Sequence, residues 1–112
     1  MAYRREGGII YSDDGWKLQT LGTLSRLKYV DENGREAIVS CEIPYLGGIA
    51  LYPGQMHHWL IPARQPLTDD ERSQIIERVS DAIKWSGIGV HIRENGITIV
   101  SIGGKPNTGS LH

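Results

Sequence analysis

One segment, residues 67–87, constrains the fold most, because it carries a complete set of helix start and stop signals. Thr68 can accept a hydrogen bond from the backbone N–H of Glu71, whose side chain can reach back to the backbone N–H of Thr68. Two aspartates add negative charge beside the positive end of the helix. Gly87 can adopt the left-handed conformation that ends a helix. The sequence therefore predicts one helix over residues 69–86.

This predicted helix is amphipathic. At about 100° per residue, five apolar side chains fall within an arc of roughly 120°, and polar side chains such as Ser80 lie opposite. Trp85 lies near the apolar arc and is expected in the core, whereas Arg72 should bury only its aliphatic stem at the rim. A helix of roughly 27 Å can cover one face of a small sheet. The apolar face consists of Ile75, Ile76, Val79, Ala82 and Ile83.

Turn signals divide most of the remaining chain into hairpins. Asp-Gly and Asn-Gly pairs favour tight turns because their residues tolerate positive φ. Pro44 is expected to end a strand, because proline cannot donate to a ladder. Residues 49–52 form a further short apolar run, and residues 55–66 are expected to cross the sheet as a loop. The predicted strand pairs are residues 9–11 with 16–18, 21–30 with 35–43, and 88–93 with 97–102, with Val90, Ile92 and Ile99 facing inward.

The predicted fold is α+β, with a largely antiparallel sheet built from hairpins and one long amphipathic helix packed on one face. The alternation of Ala37, Val39 and Cys41 with polar neighbours gives the sheet an apolar face for that helix. A chain of 112 residues fits a single domain spanning residues 1–112. We expect residues 1–8 to form a short arm and residues 103–112 a mobile tail.

Composition narrows the function classes. Twelve Lys and Arg against thirteen Asp and Glu argue against a nucleic-acid-binding protein built on a basic field, so no direct nucleic-acid contact is expected. The single Cys41 excludes an intramolecular disulfide and favours a reducing, cytoplasmic setting. Neither a secretory signal nor a membrane span is evident, so no membrane association is expected.

Few residues in the sequence suggest a catalytic, metal-binding or phosphate-binding role. His57 and His58 are adjacent and should point to opposite faces of an extended chain, which disfavours a shared metal ion. Cys41 alternates in phase with apolar residues, and is therefore interpreted as a buried structural thiol rather than a nucleophile. No glycine-rich phosphate-binding pattern occurs. No catalytic residue, cofactor or metal is therefore predicted.

Aromatic residues are more informative. Arg26, Lys28 and Tyr29 resemble part of an RNA-binding strand, but a solvated sheet face is the favoured interpretation. Amphipathic aromatics suit both core edges and protein interfaces. Trp59 lies in the irregular segment 55–66. It could fill the end of the core or form part of a protein interface, and the sequence leaves both alternatives open.

The order of features from Glu42 to Val90 resembles a family of small bacterial immunity proteins from polymorphic-toxin and contact-dependent growth inhibition systems. The shared features are a strand ending in Glu42, a short apolar strand over residues 49–52, Trp59 followed by Pro62, the capped acidic helix start at Thr68, the pair Ile75 and Ile76, and Gly87 leading into a strand.

This resemblance implies a protein that is not an enzyme and that binds and neutralises a cognate toxin domain, often a nuclease, delivered by neighbouring bacteria. We expect a monomer or a weak homodimer. The expected toxin interface lies in the segment 45–64, which concentrates the residue types that anchor interfaces. Its candidate residues are Tyr45, Tyr52, His57, His58, Trp59 and Arg64.

Two other interpretations stay open. The first is a small ligand-binding domain or enzyme that uses a pocket near Cys41, Glu42, His57 and His58. The second is a subunit of a larger assembly that pairs through an exposed strand edge.

Overall fold

The computed structural model describes residues 2–22, 25–94 and 97–102, with side chains as far as Arg93. Its fold is α+β, which confirms the predicted class. One helix packs on a curled, mostly antiparallel sheet. The elements are β1 Tyr3–Glu6, β2 Ile9–Ser12, β3 Lys17–Thr20, β4 Arg26–Val30, β5 Glu36–Tyr45, β6 Gly48–Leu51, a 3₁₀ turn Pro53–Gln55, α1 Asp69–Trp85, β7 Gly89–Glu94 and β8 Ile97–Ile102.

The eight described strands follow one another through the sheet in chain order. All neighbouring pairs are antiparallel except β6 and β7, which run parallel. Parallel neighbours need a long crossover, and the segment containing α1 supplies it. The predicted hairpins are present, with Tyr11 opposite Lys17 and Val30 opposite Glu36 at their turns.

The long strand β5 joins the two halves of the sheet. Its first half pairs with β4, and β6 pairs with it only from Cys41 onward. The other edge of the first half is therefore left to the loop between the 3₁₀ turn and α1. Glu36 N–H donates to Ile61 O at 2.9 Å, and Leu60 N–H donates to Glu36 O at 2.7 Å. The predicted irregular loop thus closes an edge that would otherwise leave backbone groups unpaired.

Both ends of α1 match the sequence signals. Glu71 N–H donates to Thr68 Oγ1 at 3.0 Å, and Thr68 N–H donates to Glu71 Oε1 at 3.0 Å. Gly87 has a φ of 85°, and its N–H donates to Lys84 O at 2.8 Å. Ile88 N–H then donates to Ile83 O at 3.3 Å, which completes a paired bond pattern typical of helix C-termini.

All five apolar helix positions are buried, and so are Ala37, Val39 and Cys41 of β5. Arg72 is partly buried, and its Nε donates to Met56 O at 2.9 Å, as expected for a rim residue. Two helix predictions are wrong. Ser80 is buried because it lies only about 40° around the helix from Ile76, at the border of the apolar arc and not opposite it. Trp85 is 47% exposed because it lies in the last turn, where its ring contacts Tyr3 at a centroid distance of 5.5 Å.

Three predictions about strands are also wrong. Residues 3–6, inside the predicted arm, form β1, which pairs with β2. Pro44 does not end its strand: β5 continues to Tyr45 across a register shift that follows Glu42, where a missing N–H is tolerated. The strand predicted over residues 21–30 begins only at Arg26. The inward position of Ile99 and the tail over 103–112 lie outside the described side chains and residues.

In the part of the chain that the structure describes, no helix is long and apolar enough to cross a membrane.

Candidate functional site

The outer face of β5, β6 and β7, turned away from α1, carries a group of aromatic and charged side chains. Side chains alternate along a strand, so the buried positions Cys41, Leu51 and Val90 direct their neighbours to this outer face. The result is a patch drawn from β5, β7 and the residue that follows β6. The outer-face cluster consists of Glu42, Tyr45, Tyr52, His91 and Arg93.

Arg93 lies near the centre of the outer-face cluster. Its Cζ is 4.9 Å from the ring centroid of Tyr45 and 6.0 Å from that of Tyr52. The ring of His91 also contacts Tyr45, in an edge arrangement at a centroid distance of 5.2 Å. Cation–π and aromatic edge contacts of this kind restrict the rotamers of the side chains involved.

Glu42 fixes the remaining aromatic residue. The Tyr52 hydroxyl donates to Glu42 Oε1 at 2.6 Å. This hydrogen bond raises the pKa of Tyr52 above its ordinary value, so the phenol stays protonated and acts as a donor at neutral pH. The two tyrosines are therefore held at their positions before any partner binds.

Leu46 lies at the tip of the β5–β6 hairpin, directly beside Tyr45. It is 79% exposed and has a φ of 48°, followed by Gly47 at 82°. Positive φ at both central residues is the geometry of a type I′ turn, which favours Asn or Gly at the first position. Leucine gains neither burial nor a favourable backbone conformation here. Folding alone therefore gives no reason for leucine at this position.

The other predicted interface residues lie in the loop after the 3₁₀ turn. His57, His58 and Arg64 are exposed, as are the apolar side chains of Leu60 and Ile61. The imidazole centroids of the two histidines are 6.5 Å apart. These residues form a second exposed patch, called the loop patch.

The loop patch and the outer-face cluster lie along different parts of β5. Ile61 pairs with Glu36 at the start of the strand, and Tyr45 is its last residue. Tyr52 lies nearer the middle of this strand, where its N–H donates to Ser40 O at 3.0 Å. The structure thus brings Tyr45 and Tyr52 together through Arg93, and places His57, His58 and Arg64 elsewhere.

Trp59 is part of the core, which decides between the two positions left open by the sequence. Its side chain is buried, at 3% exposure. Arg35 covers the indole, with Cζ 4.1 Å from the ring centroid, and Trp59 Nε1 donates to Glu71 Oε1 at 3.4 Å. Arg35 also bonds Glu71 Oε2 at 2.9 Å and Asp31 Oδ2 at 2.8 Å. This network ties the loop to the start of α1.

The four residues of the suggested pocket do not share one face of the sheet. Cys41 faces the core and Glu42 the outer face, because adjacent strand residues point in opposite directions. Burial raises the pKa of Cys41 to about 11, so its thiol is protonated at neutral pH and is a poor nucleophile. Three cavities of the described part of the chain are lined by other residues.

Among the described residues, no group of three or more His, Cys, Asp or Glu side chains has an arrangement that could hold a metal ion. No protein-family model, curated protein or solved structure matches this chain.

Sequence reasoning missed three members of the exposed surface: Leu46, His91 and Arg93. The signal for Leu46 was local, because leucine before two glycines in a tight hairpin is unusual. Alternation with the inward Val90 and Ile92 placed His91 and Arg93 on the outer face, but their contacts with Tyr45 depend on the pairing of β6 with β7.

Proposed function

We propose that the protein is a cytoplasmic immunity protein that binds and neutralises a toxin domain delivered by neighbouring bacteria. The nuclease class of that toxin rests on the sequence resemblance. The observation that carries the proposal is the exposed Leu46 in a left-handed turn position beside Tyr45. Binding to a partner supplies the burial that folding does not.

The energetics of Leu46 favour a role outside folding. A left-handed conformation costs a non-glycine residue roughly 1–2 kcal/mol. An exposed leucine recovers none of this through the hydrophobic effect, whereas full burial of its side chain against a partner would contribute about 1.5–3 kcal/mol. Backbone outliers of this kind concentrate at functional sites.

The outer-face cluster supplies the other anchors that an interface needs. Tyrosine and arginine are enriched at positions that dominate binding energy. Arg93 is already placed against two rings and Tyr52 is already bonded to Glu42, so little rotamer freedom is lost on binding. Glu42 and Arg93 also present charges of both signs, which favours partner selectivity over general electrostatic attraction.

A protection assay tests this proposal. Cells expressing the toxin domain encoded beside the gene would carry wild-type protein, Leu46→Asp or Ile61→Asp. Both positions hold exposed aliphatic side chains, Leu46 at 79% and Ile61 at 51% exposure, so the two variants are matched in chemistry. Only Leu46 lies beside the outer-face cluster.

We expect wild type and Ile61→Asp to protect, and Leu46→Asp to fail while melting at the wild-type temperature. Loss of protection by Ile61→Asp alone would move the interface to the loop patch, including His57, His58 and Arg64. Failure of the wild-type protein to protect against its linked toxin would refute the immunity function.

A further inference from the structure

A second candidate site lies on the helix side of the sheet, away from the outer-face cluster. It is a cavity of about 190 Å³ between the β1–β2 turn, the inner faces of β2 to β6 and the last turn of α1. Its walls are almost entirely aliphatic and include Leu18, Leu27, Ile49 and Ile83.

The local sequence explains why this space is not filled. Gly7 and Gly8 form the β1–β2 turn and contribute no side chains to the cavity. A Cβ atom at Gly8 would lie only 2.7 Å from Thr20 Oγ1, so the turn packs close against the end of β3 through its backbone. The helix ends at Trp85, so no further turn of helix closes this end of the core.

The mouth of the cavity is polar and cationic. Arg5 Nη2 donates to Ser86 Oγ at 2.8 Å, and Ser86 Oγ donates in turn to Ala82 O at 3.3 Å. Thr20 adds a second hydroxyl to the lining. In the described part of the chain, no carboxylate forms an ion pair with Arg5.

We propose that this cavity binds a small monocarboxylate, with its apolar part among the aliphatic walls and its carboxylate on Arg5. Guanidinium groups bind carboxylates through strong, paired hydrogen bonds. An apolar cavity of about 150 Å³ holds benzene. The apolar part of the ligand therefore has on the order of six to eight carbons, as a ring or as a short chain. This inference does not depend on the immunity function.

Direct binding measurements test the site. The probes are benzoate and heptanoate, with benzamide and heptanamide as uncharged matches, each titrated up to about 10 mM and followed by methyl chemical shifts and calorimetry. The variants are Arg5→Gln, which removes the cation, and Ile83→Phe, which fills the cavity. Arg4→Gln is the matched control, because the Arg4 side chain lies over Tyr11 on the outer face at 4.3 Å.

We expect both acids to bind to wild type and to Arg4→Gln, with shifts at the methyl groups of Leu18, Leu27 and Ile83. Arg5→Gln should lower the affinity for the acids roughly tenfold, since a hydrogen bond to a charged group is lost. The affinity for the amides should not change. Ile83→Phe should abolish binding of both acids.

Two results would overturn the proposal: no methyl shifts in wild type at about 10 mM acid, or equal affinity of acid and amide in wild type. Both are measured on the unaltered protein, so the test stands even if Ile83→Phe does not fold.

Discussion

Two regions of this protein each combine an aromatic ring, an arginine and a glutamate, but the two regions have different roles. The first is the support network of Asp31, Arg35, Trp59 and Glu71, in which Arg35 covers the ring of Trp59 and bonds Glu71. In the outer-face cluster, Arg93 contacts the rings of Tyr45 and Tyr52, and Glu42 accepts from Tyr52.

Burial separates these two regions. Trp59 is 3% exposed, and its network joins the loop to α1, so its contacts are completed by folding. The tyrosines of the outer-face cluster are only partly buried, and Leu46 beside them is 79% exposed. An aromatic ring with an arginine and a glutamate therefore indicates neither a structural nor a binding role until the accessible side of the ring is known.

The largest expected effect comes from removing the buried ring. Trp59→Ala should lower the free energy of unfolding by about 3–5 kcal/mol, because it leaves a cavity beneath the loop and removes the surface on which Arg35 rests. Urea denaturation measures this change. Equal stability of Trp59→Ala and wild type would place the ring outside the core and end the distinction between the two regions.

The support network should also affect how the stability of the protein changes at acidic pH. The backbone N–H of Thr68 and the guanidinium of Arg35 lower the pKa of Glu71 below its ordinary value of 4.5. The unfolded chain then binds more protons at Glu71 than the folded one, so this stabilisation is complete above about pH 4.5 and is lost as the pH falls through the lower, folded pKa.

Glu71→Gln should accordingly flatten the decline of stability between about pH 5 and pH 3, and should reduce stability at neutral pH by about 1–2 kcal/mol. Denaturation midpoints across that range measure both effects. A variant with the wild-type slope would show that Glu71 is not part of the network in solution.

Changes in the outer-face cluster should leave stability nearly untouched. Tyr52→Phe removes one exposed hydrogen bond, to Glu42, and should change the free energy of unfolding by less than about 1 kcal/mol. The same substitution should weaken toxin binding, measured by calorimetry with the isolated toxin domain. A large loss of stability would mean that the cluster supports the fold as the Trp59 network does.

The smallest expected effect on stability, and of opposite sign, belongs to Leu46→Asn. Asparagine tolerates the left-handed conformation better than leucine, so this variant should be as stable as wild type or more stable by up to about 1 kcal/mol. Thermal melting checks the sign. Protection against the toxin should be lost at the same time, and a variant that protects fully would show that leucine has no binding role at this turn.

Local signals in the sequence specify several elements of the fold. Thr68 and Glu71 are three residues apart and mark the start of α1, and Gly87 marks its end. The glycine-containing turns set the antiparallel hairpins, and the alternation in β5 set which of its faces is buried. These features depend on neighbours within one turn or along one strand, so a single sequence contains them.

Tertiary structure alone decided which surfaces remain exposed. The burial of Trp59 requires Arg35 from the β4–β5 turn and Glu71 from the helix. The contacts of Arg93 with Tyr45 and Tyr52 require β7 to pair parallel with β6. Burial and clustering depend on residues far apart in the chain, and no local pattern encodes the relative positions of those residues.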